Sequence, residues 1–267
     1  MNQKYTPFQI NFIIKHYNDS DGPRLCASEL KIDINKLYHI AHRLGMFKKR
    51  IYSTINFNLN DPNFVYFLGY SWADGHLRRI NKNGRLRFSF EILERDMREI
   101  KPILLSIGVT SFKTNKRKDR QMVECFYCNN QEFCEKLESL DFIIKSRVPP
   151  VKILKVLPDG MERYFLHGFF DGDGSITLPT NKSNFKCLSF SGPFAQEWGF
   201  LQDFCNRLDC TGYVKQLTSS TGSQSTFNLY NYDAILKFGN FIFNDKIRGL
   251  SRKIIKFQEL KNRFNTY

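Results

Sequence analysis

Nowhere among the 267 residues is there an uninterrupted apolar run of about eighteen residues, so no membrane-spanning helix and no membrane partner are expected. The opening stretch, MNQKYTPFQINFIIKHYNDSDG, lacks the apolar core and small-residue cleavage site of a secretory signal, which predicts an intracellular protein of the cytoplasm or an organelle matrix. Cysteine is scarce and odd in number, seven, without framework spacing, which excludes a disulfide-stapled scaffold and fits reduced thiols. One pair, Cys125 and Cys128 in VECFYC, has zinc-like spacing, but no second such pair completes a tetrahedral site and the alternation of MVECFYC reads as a strand, so zinc is disfavoured. Acid is short as well: 26 Asp and Glu against 40 Lys and Arg give a formal charge of +14, and a polyanion is the expected partner. Apolar material is not short. With 42% hydrophobic residues and 26 phenylalanines, the chain can bury an ordered core rather than remain a solvated basic tail.

The chain contains its own echo. YFLGYSWADGHL, residues 66 to 77, runs parallel to YFLHGFFDGDGSI, residues 164 to 176, when Gly69 is set on Gly168, Ala73 on Gly172 and Asp74 on Asp173. After Asp74 the pattern predicts strands from His76 to Ile80 and Arg85 to Leu93, a helix from Asp96 to about Ile107, strands near Ser111 to Arg117 and Val123 to Cys128, and a helix from about Gln131 to Leu140. After Asp173 the order returns: strands near Ser175 to Leu178 and Phe185 to Phe190, a helix from about Ala195 to Leu208, strands over Tyr213 to Leu217 and Thr226 to Tyr230, and a helix after Asn231. This is a duplicated α+β unit.

Each apolar helix carries a glycine four residues before the penultimate Ala or Gly, clearing one stripe along which two backbones can approach. Packing the helices along that stripe, with Gly69 and Gly168 at the interface, would bring Asp74 and Asp173 together at the tips. Two adjacent carboxylates repel unless a cation sits between them, and hard oxygen ligands suit Mg²⁺.

FLGYSWADG and LHGFFDGDG resemble the two copies of the LAGLIDADG motif of homing endonucleases in their single-chain form, and the resemblance covers residues 60 to 267. It implies two pseudo-symmetric αββαββα halves forming a saddle of antiparallel sheets around the two-helix interface, in a chain that acts as a monomer. It implies Asp74 and Asp173 as metal ligands for Mg²⁺, with Mn²⁺ able to substitute, and site-specific hydrolysis of double-stranded DNA leaving a staggered break. The motif's earlier acid is Asp171 in the second copy and Trp72 in the first; Trp72 is expected to pack and Asp171 to serve helix-end structure. His167 stands where the motif has a small residue, which puts close packing there in doubt. FIIKSRVPP and LSRKIIKF resemble the family's basic segments, implying Lys145 and Lys253 as charge stabilisers, and Glu94 matches a polar position beside an active-site water.

Recognition is expected from the strands. HLRRINKNGRLRFSFE places Arg78, Arg79, Lys82, Arg85 and Arg87 on a hairpin, and SFKTNKRKDRQ adds Lys113, Lys116 and Arg117. In the second half Lys182, Lys186, Lys215 and Gln216 stand among Ser, Thr and Asn, which can read base edges. Before this lies a small all-helical segment: TPFQINFIIKHYND reads as a helix opened by Thr6 and Pro7, and RLCASELKIDINKLYHIAHRLGMFKKR resembles a helix-turn-helix, with Leu37 and Ile40 buried and Lys31 at the turn position usually held by glycine. The expected division is thus 1–50 helix-turn-helix-like, 51–60 linker, 61–150 first half and 151–267 second half. An intron RNA maturase or a non-cleaving DNA-binding regulator fits the same charge, but both catalytic-position acids favour a nuclease.

Overall fold

Proline at the first turn and an aspartate before it start the pivotal helix of this protein: the Asp61 side chain accepts the Asn63 amide at 2.9 Å, and Pro62 opens a helix that runs to Asp74 with every residue from Phe64 to Trp72 buried. The computed structural model describes residues 5–19, 21–46, 55–80, 84–117, 121–180, 183–193, 195–219, 222–243, 247 and 249–264. The chain divides into two compact units, 1–51 and 52–267.

The first unit holds α1 (Pro7–His16), α2 (Gly22–Glu29) and α3 (Ile34–Arg43). A capping box starts α1: the Thr6 hydroxyl accepts the Gln9 amide and the Gln9 side chain accepts the Thr6 amide. Asp33 caps α3 through the amides of Asn35 and Lys36. Ile13, Tyr17, Cys26, Leu37, Ile40 and Ala41 form its core. Lys31, in the turn between α2 and α3, has φ of 52°, the left-handed region that glycine usually serves.

The second unit begins its repeat with α4 (Pro62–Asp74), β1 (Gly75–Arg79), β2 (Leu86–Leu93), α5 (Glu94–Ser106), β3 (Lys113–Lys116), β4 (Met122–Cys128) and α6 (Gln131–Ser139). A 3₁₀ turn at Phe142–Ile144 and the short α7 (Val151–Val156) lead to α8 (Glu162–Asp173), β5 (Gly174–Thr177), β6 (Cys187–Pro193), α9 (Gly199–Arg207), β7 (Tyr213–Ser219), β8 (Gly222–Leu229) and α10 (Tyr232–Ile242). A last helix, α11 (Ser251–Phe264), follows. The repeat in sequence is a repeat in space, two αββαββα halves. Each holds a four-stranded antiparallel sheet, ordered β1-β2-β4-β3 in one and β5-β6-β8-β7 in the other.

Aromatic rings fasten each motif helix to its own sheet. Phe67 of α4 meets Phe88, Phe90 and Phe126 at centroid distances of 5.9, 5.7 and 6.0 Å, while Phe169 and Phe170 of α8 meet Phe190 at 5.3 and 5.2 Å. Each such buried ring contributes roughly 1.5–3 kcal/mol of apolar burial. The halves join through α4 and α8, and the contact is reciprocal. A Cβ on Gly69 would lie 1.9 Å from the Phe165 carbonyl oxygen, and one on Gly168 would lie 1.9 Å from that of Tyr66. Both partners are separated by the repeat length of 99 residues (69 to 168, 66 to 165), the signature of a twofold contact within one chain. Close packing therefore survives His167, whose buried ring stands edge-on to Tyr66 and to Phe243, 5.2 Å from each.

The sequence-based element order stands, with shifted ends. Helix α9 starts at Gly199 rather than near Ala195, because Gln196 closes a turn onto the Pro193 carbonyl and Trp198 is buried with its indole N–H donating to Ser225 at 3.0 Å. The sequence pattern does not predict the 3₁₀ turn, α7 or α11. Among the described residues no helix is long and apolar enough to cross a membrane.

Candidate active site

Each motif helix runs directly into the first strand of its half, so the last helical residue, Asp74 or Asp173, stands where helix end and sheet edge meet. Gly172 controls how near these ends come. A Cβ there would fall 2.2 Å from the Ala73 methyl and 3.5 Å from Asp74 Oδ2, so the Asp74 carboxylate lies against the end of α8. Asp74 keeps an exposed face and Asp173 is half-buried, and the site opens to solvent on one side. The protein packed around them still removes water from both carboxyls and raises their pKa values. For Asp173 the rise, to about 7, is strengthened by the negative charge of Asp74 and opposed by Lys145 and Lys253.

The two lysines occupy equivalent places. Lys145 Nζ donates to the carbonyls of Trp72 (2.5 Å) and Ala73 (2.6 Å) and more distantly to Ser71 (3.4 Å), at the end of α4. Lys253 Nζ donates to Phe170 (2.5 Å), Asp171 (2.7 Å) and Gly174 (2.7 Å), at the end of α8. Each ammonium thus satisfies helix-end carbonyls and offsets the partial negative charge gathered there. Desolvation lowers both lysine pKa values to about 8, against the pull of Asp173 and Asp74 on Lys145 and of Asp171 foremost on Lys253.

Other charges reach this centre from elsewhere in the chain. Arg117 lowers the Asp74 pKa and is itself held by Glu91 at 2.6 and 2.9 Å; Asp96, buried, raises it and takes a two-pronged pair from Arg252 of α11 at 3.0 and 3.2 Å. Asp96 and Arg252 escaped sequence reasoning. The one available hint was that Arg252 adjoins Lys253, since their link spans 156 residues. Glu94 opens α5 with its carboxylate directed to Arg98 on the same helix at 3.4 Å. Asp171, expected as helix-end structure, is fully buried and accepts hydrogen bonds from Tyr66 Oη at 2.6 Å and the Leu250 amide at 2.8 Å.

The strands present one face to the helices and one outward, and directly opposed residues of an antiparallel pair share a face. On the first sheet Arg78, Arg87 and Lys113 alternate outward, with Arg87 stacked 5.8 Å over the Tyr127 ring, and Arg117 follows Lys116 on the outward side at Glu91. Arg85, exposed, precedes β2. The period of two puts three of the expected residues on the other face of their sheets. Arg79 falls on the helix side, where it donates to Glu138 of α6 and to the Gly84 carbonyl; Lys116 pairs opposite Met122 on that side, and Gln216 lies opposite Ser225, next to Trp198. On the second sheet Lys215 shares the outward face with Ser191 and Thr226, and half-buried Lys186 precedes β6. Lys82 and Lys182 lie outside the described residues. In the first unit Lys36, Tyr38, His39 and Arg43 are exposed on α3.

Among the described residues no group of three or more His, Cys, Asp and Glu side chains is arranged to hold a metal ion, and the cysteines are free thiols. Two carboxylates, one pushed upward by lost solvation and by the other's charge, fit a hard divalent ion. A thiolate-rich zinc site does not fit: Cys125 and Cys128 sit on opposite faces of β4.

Neither the models of known protein families nor the curated proteins give a match to this sequence. Solved structures do. Mesophilic variants of the homing endonuclease I-DmoI match with a TM-score of 0.50 at 14% identity, over 72% of this chain and 95% of that one. I-DmoI in complex with DNA and Ca matches at 15% identity over 72% and 93%, with a TM-score of 0.48. The LAGLIDADG homing endonuclease I-GzeII in complex with its DNA target matches at 17% identity over 76% and 88%, with a TM-score of 0.43. At these identities the likeness is one of fold.

Proposed function

We propose that this chain, which has the LAGLIDADG homing-endonuclease fold, is a site-specific endonuclease that hydrolyses double-stranded DNA with a divalent metal. The observation that carries the proposal is the pairing of Asp74 and Asp173 at the joined ends of α4 and α8, each end capped by its own lysine.

Asp74 and Asp173, both ionised, would hold Mg²⁺, with Mn²⁺ as a substitute. A divalent ion there supplies positive charge beside the scissile phosphate and makes a nearby water more acidic. Lys145 and Lys253 hold fixed positive charge within reach of the same centre and offset the charge that grows on the phosphate oxygens during in-line attack. Because each lysine is held by backbone carbonyls rather than by a carboxylate, its charge is not neutralised by an ion pair in the resting protein. The site is pseudo-symmetric, so its halves would act on opposite strands and leave staggered ends. No protein nucleophile is needed.

Arg78, Arg87, Lys113 and Arg117 on the outward face of the first sheet would contact the duplex chiefly by charge, while Ser191, Thr226 and Lys215 on the second offer a more neutral, hydrogen-bonding face. Both halves lie in one chain, so a monomer suffices. The exposed face of α3 adds a helix suited to a further duplex contact.

The test is to incubate the protein and an Asp74→Asn, Asp173→Asn double variant with a library of random duplexes and Mg²⁺, then sequence the ends. Staggered cuts at one long site, absent with the variant, are expected. Duplex binding without cuts would mean a non-cleaving regulator, and binding to intron RNA alone would mean a maturase.

A further inference from the structure

Lys145 and Lys253 reach equivalent helix ends from unrelated segments, one from the turn after α6 and one from α11. In both cases the residue three positions before the lysine is anchored on the motif residue two positions before the aspartate. In the first half that anchor is apolar: Phe142, almost fully buried, meets the Trp72 ring edge-on, centroids 5.1 Å apart at 83°. In the second half it is polar: the amide of fully buried Leu250 donates to Asp171 Oδ2 at 2.8 Å.

The polar anchor is built from three elements. Tyr66 of α4 donates to the same oxygen at 2.6 Å, and His167 Nε2 lies 3.6 Å from it, with all of these side chains buried. Gly249 completes the fit. Its φ is 56°, and a Cβ there would lie 2.4 Å from Asp171 Oδ2 and 2.5 Å from His167 Nε2, so the backbone at the start of α11 sits directly on the pair. A carboxylate wholly removed from water at this depth is destabilising unless its hydrogen bonds are made; here Oδ2 accepts two and the buried Oδ1 accepts none among the described residues, so its presence calls for a role.

We propose that Asp171 is a positioning residue: by holding the Leu250 amide it docks the start of α11 and aims Lys253 at the end of α8, doing with a hydrogen bond what Trp72 does for Lys145 by ring packing. The docking itself is independent of the cleavage reading; its catalytic consequence rests on that reading. Loss of the anchor releases one lysine and leaves the other, so cleavage of one strand should fall more than cleavage of the other.

The test reads the two lysines separately in the full chain. The protein is pulse-acetylated with an amine-reactive ester, and labelling of Lys253 and Lys145 is followed by mass spectrometry for wild type, Asp171→Ala and Asp171→Asn. In Asp171→Ala, Lys253 labelling should rise at least about tenfold relative to Lys145, the factor expected when a buried hydrogen bond is lost. Asp171→Asn, which keeps an acceptor oxygen, should restore most of the protection. Unchanged Lys253 protection, or an equal rise at both lysines, overturns the proposal. Should Asp171→Ala not fold, the wild type still decides: hydrogen exchange must show the Leu250 amide protected to the level of the α8 amides, and fast exchange there refutes the docking. Where the wild type cuts both strands, equal loss on both in Asp171→Ala also overturns the proposal, while a wild type that cuts nothing rejects the nuclease reading and leaves the labelling result to stand alone.

Discussion

Replacing Asp173 by asparagine should stabilise the metal-free protein, and more so as the pH rises. The folded-state pKa of Asp173 is raised from 3.8 to about 7 by desolvation and by Asp74. Below both values the carboxyl is protonated in the folded and unfolded chain alike and does not affect stability. As the pH climbs from 3.8 the unfolded chain releases this proton while the folded chain retains it, so stability falls until about pH 7, above which the full penalty remains. About three pKa units correspond to a ceiling of about 4 kcal/mol. Asp173 is only half-buried, and solvent screening lowers this to about 1–2 kcal/mol. Asparagine keeps the shape and drops the charge. Urea denaturation in the presence of a chelator at pH 4.5 and pH 8 measures the gain directly: the variant should exceed wild type at pH 8, and by only about a quarter as much at pH 4.5. Adding Mg²⁺ at pH 8 should then raise the wild-type midpoint and leave the variant's almost unmoved, since only the former keeps both proposed ligands. A variant no more stable than wild type at pH 8, or a gap independent of pH, would refute the linkage.

Gly168→Ala places a methyl 1.9 Å from the Tyr66 carbonyl oxygen, where only backbone movement can make room, and should destabilise the second unit by about 3 kcal/mol or more; a melting temperature within a few degrees of wild type would contradict the close approach. Lys145→Met keeps the aliphatic stem but leaves the α4 carbonyls and Asp74 without their nearest cation, so cleavage should fall by about a hundredfold or more with circular dichroism unchanged, and full activity would remove Lys145 from the chemistry. Arg78→Ala combined with Lys113→Ala should reduce the slope of log affinity against log salt by about 2 with sequence preference retained, and an unchanged slope would take the outward face of the first sheet out of the duplex contact.

Much of this architecture is legible because duplication writes it twice. The glycine stripe, the order of strands and helices and the two terminal aspartates all follow from residues a fixed distance apart, and backbone geometry leaves few other ways to bury two such helices. What is not legible depends on contacts between distant segments. Trp198 pulls the start of α9 several residues downstream of where Ala195 and Gln196 would place it, because burial against Ser225 outweighs local helix preference. Arg79, Lys116 and Gln216 look like the neighbours beside them in sequence, yet adjacent strand residues point to opposite faces. Asp171 reads as a helix-end acid, and its link to Leu250 arises only once the chain has folded back on itself.

The reciprocal fit of Gly69 on Phe165 and Gly168 on Tyr66 is a contact of the kind two identical subunits make, here closed by a tether. Identical subunits must read identical words on the two sides of their axis, whereas tethered halves are released from that obligation. The two outward faces differ, arginine and lysine on one sheet and serine, threonine and one lysine on the other. On the proposed function, a duplex read by both would have no need of palindromic symmetry, and each half could change its part of the message while the joint between them stays fixed.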